Sequence, residues 1–105
     1  MFSGGDYEEV ARWLRNFATS HAKRERLRAE AVVETAGERD GTSYGVRLRL
    51  GEALHPASGE APIELSYDEV ARNRGQLAWC ATLAERIRAL VREPPGATPG
   101  QRRSP

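Results

Sequence analysis

Tyr44, Val46, Leu48 and Leu50 alternate strictly with Gly45, Arg47 and Arg49. A period of two is the signature of an extended strand with one covered face, and no helix can bury that pattern on one side. Upstream, Leu27, Ala29, Ala31 and Val33 alternate with Arg28, Glu30, Val32 and Glu34, and the turn-forming run Gly37-Glu38-Arg39-Asp40-Gly41 separates the two stretches. The two strands are expected to form a hairpin. Setting Ala36 opposite Ser43 puts Val33 against Val46, Ala31 against Leu48 and Glu30 against Arg49. Apolar then meets apolar and each charge meets its opposite.

The flanks carry a different period. After a lead read as flexible (residues 1–5), Asp6 and Glu9 stand as an N-cap and its reciprocal partner. Tyr7, Val10, Trp13, Leu14, Phe17 and Ala18 then share one arc of about 140° at 100° per residue, so a helix is expected from Asp6. Gly51, His55-Pro56, Ser58-Gly59 and Ala61-Pro62 break both periods, which predicts a long loop before a short third strand, Ile63-Glu64-Leu65. Pairing Leu50 with Ile63 and Leu48 with Leu65 sets Glu30, Arg49 and Glu64 in one exposed, self-neutralised row. Ser66 with Glu69 forms a capping box that launches a second helix toward Arg92, with Gly75 a point of division. The expected fold is α+β, in the order helix, three-stranded antiparallel sheet, helix (α-β-β-β-α), with both helices on one face. It is a single domain over residues 6–92, followed by a disordered Pro, Gly and Arg tail at 93–105.

Composition narrows the function classes. A chain of 105 residues builds one core, and 16 Lys plus Arg against 15 Asp plus Glu leave a net charge of +1. No bulk field of either sign draws a polyanion or a membrane surface. No apolar run reaches bilayer length, no secretory leader is legible at the start, and a single Cys makes no internal disulfide, so the expected compartment is the cytoplasm. The order of elements resembles, over roughly residues 6–92, that of the double-stranded-RNA-binding domain, a family that docks RNA through its first helix, its first hairpin loop and a lysine-rich second helix. Here those positions hold Asp6, Glu8 and Glu9, then Glu38, Arg39 and Asp40, then Asp68 and Glu69. The resemblance is therefore one of topology, and no RNA-binding residue is carried across.

On the second helix, Leu77, Trp79, Cys80, Leu83, Ala84, Ile87, Leu90 and Val91 fill an arc of about 160°, wider than one sheet face requires. That excess nominates Trp13, Trp79, Leu83 and Leu90 as a protein interface, for a partner or for a second copy in a homodimer. The alternative is weak nucleic-acid binding by the basic junction of Lys23, Arg24, Arg26 and Arg28. The outer sheet face has no aromatic residue on which bases would stack. His21 is expected to pack or cap the first helix, His55 to lie in a loop, and Cys80 to be inert packing. No metal-ligand spacing, phosphate loop or nucleophile motif is present, so no metal, cofactor or catalytic residue is assigned. An enzyme using His21 or His55 ranks last.

Overall fold

The computed structural model describes residues 4–92; the tail expected to be disordered (93–105) and residues 1–3 lie outside the described residues. The elements are α1 (Gly4–Lys23), β1 (Glu30–Glu34), a 3-10 turn (Gly37–Arg39), β2 (Ser43–Leu50), β3 (Ala53–His55), β4 (Ile63–Ser66), α2 (Tyr67–Asn73) and α3 (Leu77–Arg92). α1 takes in Gly4 and Gly5, which the sequence reading had assigned to the flexible lead. Asp6 then lies in the first turn, where the positive end of the helix dipole favours a carboxylate.

The hairpin has the register that charge and apolar parity dictate: Glu30 faces Arg49, Ala31 faces Leu48 and Val33 faces Val46. The third row differs from expectation, because the sheet has four strands. Gly51 takes φ 69°, a left-handed conformation open to glycine, and turns the chain back directly after Leu50. The residues after it form β3, which pairs with the far half of β2 (Leu48 with His55, Leu50 with Ala53). That half is then taken, so β4 pairs with the near half, Val46 with Ile63 and Tyr44 with Leu65. Parity survives the shift, and Ile63 and Leu65 still face the core. The expected row does not survive. Glu30 and Arg49 remain neighbours, whereas Glu64 stands opposite Gly45.

One core fills the space between the sheet and the helices. Val10, Leu14 and Ala18 of α1, Tyr44, Val46 and Leu48 of β2, and Leu83, Ile87 and Val91 of α3 belong to a single buried cluster. Each large aliphatic side chain there contributes about 1.5–3 kcal/mol relative to exposure. Tyr7 and Tyr44 stack with ring centroids 4.7 Å apart. The Tyr44 hydroxyl donates to the Tyr7 carbonyl at 2.8 Å, while the Tyr7 hydroxyl reaches the carbonyls of Ser43 (2.6 Å) and Arg39 (3.0 Å). The first turns of α1 are thereby fastened to the start of β2. Burial is the main reason both phenols are held above the ordinary tyrosine value.

The second helix divides where Gly75 stands. Ser66 Oγ accepts the Glu69 N–H at 3.0 Å and starts α2, as the capping box requires. α2 closes at Asn73 and α3 opens at Leu77. At their far ends α1 and α3 are tied together: Glu25 of the chain after α1 pairs with Arg88 at 2.8 Å, and Arg26 Nε donates to the Val91 carbonyl at 3.3 Å.

Candidate functional site

The sheet has three rows with β2 in the middle, so it ends in two margins. One is made of β3 and β4 and is interrupted by the segment between them, which carries Pro56 and Pro62. The other is β1, continuous over five residues and, among the described residues, paired only with β2.

The orientation of the β1 backbone follows from one bond. Ala31 N–H donates to Thr19 Oγ1 of α1 at 3.0 Å, so this residue turns its backbone away from β2. Backbone groups of successive residues point to opposite sides of a strand, so Val33, two residues on, aims its N–H and C=O the same way as Ala31. What it faces is a trench between β1 and α1. One part, about 240 Å³, is lined by Tyr7, Glu8, Ala11, Arg12, Arg15, Val33 and Thr35. A second part, about 790 Å³, shares Arg15 and Val33 with it and runs past Thr19 to Lys23, Glu30 and Arg49.

The rim of the trench is basic. Arg12 and Arg15 are exposed, and neither makes an ion pair among the described residues. Lys23 Nζ is held by the Leu27 carbonyl at 2.9 Å. Against these cations stand Glu8 and Glu30, the latter beside Arg49 across the hairpin.

The opposite side of the sheet's outer face is closed by its own side chains. Arg47 is 5% exposed although it points outward. Its Nε donates to Glu34 at 2.7 Å and its Nη1 donates to the carbonyls of Pro56 (3.0 Å) and Ala57 (2.6 Å). The loop after β3 is thereby drawn down onto the sheet. Arg39 pairs with Glu64 and lies 3.7 Å from Glu34. It crosses directly above Gly45, where an added Cβ would sit 2.8 Å from both Arg39 Nε and Pro62 Cγ. Neither arginine was nominated by the sequence reading. The available signal was Gly45, since a glycine in mid-strand marks a close approach to that face.

The nominated interface residues occupy separate surroundings. Leu83 is 3% exposed and belongs to the core, which removes it from any surface. Trp79 donates its indole N–H to Glu69 at 3.1 Å, so part of the wide apolar arc of α3 is spent on α2. Leu90 shares a shallow cavity with Pro62 and Ile63. Trp13 stacks on Phe17 with centroids 4.9 Å apart, and Phe17 in turn meets His21 at 4.6 Å. All four residues of the basic junction are exposed, and Lys23 and Arg26 also donate to main-chain carbonyls.

His21 packs as expected. Burial first, then the nearby Arg24 and Arg88, pushes its imidazole below the ordinary histidine value. His55 is part of β3 and not of a loop. Cys80 is half-buried, with Sγ 3.4 Å from the Arg74 carbonyl. Among the described residues no three His, Cys, Asp or Glu side chains gather to hold a metal ion, and no helix is long and apolar enough to cross a membrane. The chain matches no protein-family model, no curated protein and no solved structure.

Proposed function

We propose that this chain is a small non-catalytic protein-binding module of the cytoplasm that takes up an extended segment of its partner along β1. The observation that carries this reading is the strand margin beside α1, where Val33 turns its backbone groups into the trench. An unpaired strand row is a template for another strand: main-chain hydrogen bonds supply affinity and alternate side chains supply specificity. Ala11 and Val33 supply a small apolar part of an otherwise polar lining.

Nucleic-acid binding through Lys23, Arg24, Arg26 and Arg28 is less well supported, since Glu25 sits among the four cations and a net charge of +1 supplies no wider positive field. The neutral, ring-packed His21 and the lone half-buried Cys80 fit a binding module of a reducing compartment better than an enzyme. A homodimer is the second form of the same reading, with the half-exposed Trp13 row and Leu77, 85% exposed at the start of α3, as its contact.

Panning a random library of short linear peptides against the folded chain, then mapping the selected binders by amide chemical shifts, tests the proposal. Shifts centred on residues 31–35 and on the facing flank of α1 are the expected result. Binders whose shifts fall only on α3 and Trp13 would overturn it, as would light scattering that shows a micromolar dimer with the β1 amides still exchanging freely.

A further inference from the structure

Resting on that reading, we infer that the segment accepted by β1 is acidic: an extended peptide whose carboxylates reach Arg12 and Arg15 while its backbone pairs at Val33. Both guanidinium groups line the same part of the trench as Val33, and neither is neutralised by an ion pair within the described chain. Their spacing suits a strand. Residues three apart on a helix advance about 4.5 Å along its axis. Alternate residues of a strand are separated by about 6.6 Å, a difference that two long arginine side chains bridge easily. Arginine is also the side chain best shaped to take a carboxylate through two parallel N–H donors.

The same charges disfavour other occupants. A second copy paired around Val33 would bring its own Arg12 and Arg15 toward this pair, cation against cation. Residues 93–105 of this chain hold Pro94, Pro95 and Pro99, which lack an N–H to donate, and carry Arg102 and Arg103 against the single Glu93. A nucleic-acid strand would find phosphate contacts, but it has no main-chain N–H and C=O to pair at Val33, and a backbone edge offers bases nothing to stack on. Pairing is bounded at one end, because the Ala31 N–H is already given to Thr19. The incoming strand therefore lies at Val33 and runs along the Thr35 end of the trench.

The test uses the full chain and three fluorescent peptides of about seven residues, each alternating valine or threonine with glutamate, with serine or with lysine. Fluorescence polarisation at low salt is expected to rank glutamate over serine over lysine, the first gap being about tenfold and narrowing as salt is added. Arg12→Glu combined with Arg15→Glu, at two exposed positions, is expected to invert the ranking without moving the urea midpoint. Equal binding of the glutamate and serine peptides overturns the acidic partner and leaves strand addition standing. Peptides that leave the Val33 amide unperturbed overturn both. Concentration-dependent protection of that amide without peptide assigns the edge to a second copy, and displacement of the glutamate peptide by short single-stranded DNA at physiological salt assigns it to nucleic acid. Either result overturns the proposal.

Discussion

The two margins of this sheet are finished in opposite ways. Along β3 and β4 the row is cut into a three-residue and a four-residue piece, and the loop between them is pulled onto the sheet by Arg47. Along β1 the row is unbroken, has no proline, and packs against α1, whose Thr19 hydroxyl takes the Ala31 N–H while Val33 lines the trench beside it. Short pieces, prolines and covering loops are the common means by which proteins keep strand margins from pairing with other chains. β1 has neither proline nor covering loop and is flanked by α1 instead, so what stays open along it is the stretch at Val33 that lines the trench.

Four experiments can break or sharpen this contrast. The largest effect is expected from Arg47→Met, which leaves two loop carbonyls without their donor and Glu34 with only the more distant Arg39; unfolding in urea should show a loss of about 3 kcal/mol. Amide exchange should quicken around residues 56–62, with no change in peptide binding at β1. Gly45→Ala comes next. Arg39 can swing away from the new methyl group but the Pro62 ring cannot, so a cost of about 2 kcal/mol is expected in the same assay. If this variant were neutral, the covering of that side would be looser than its contacts imply. Thr19→Ala should cost about 1 kcal/mol, free the Ala31 N–H and lengthen the usable strand, so β1 should bind peptide more tightly while exchange at Ala31 accelerates. The smallest effect, a control remote from both margins, concerns His21. Its folded-state affinity for protons is lower than in the unfolded chain, so the unfolded state binds more protons as pH falls through the ordinary histidine range. Stability should therefore decline with acidification there, and His21→Gln should flatten that slope in a pH series of urea midpoints.

The legible part of the fold was the part fixed by local pattern. The β1–β2 register could be read because Val33, Ala31 and Glu30 each find a matching partner only in one alignment. The third row could not, because a three-residue strand such as Ala53-Leu54-His55 has no period to detect and lies among turn formers. Missing it moved Ile63 from Val46 to Leu50, and the exposed charge row was lost with it. The division of the second helix was visible at Gly75, and its consequence explains part of the surplus apolar arc: Trp79 reaches back to Glu69 of α2. The trench was hidden for a different reason. Whether a strand is marginal or central depends on the order of rows, which no single segment encodes, and Arg12 and Arg15 look in the sequence like any solvated helix face.

The paired tyrosines at the root of α1 provide the molecule with an optical gauge of its own. Because burial holds the protons of the stacked Tyr7 and Tyr44 above the ordinary tyrosine range, alkali favours opening that joint. The unfolded phenols ionise first, so alkalinisation draws stability away as pH climbs past the usual tyrosine range. Phenolate absorbance from this pair then reports, with no added label, the moment at which the first helix leaves the sheet.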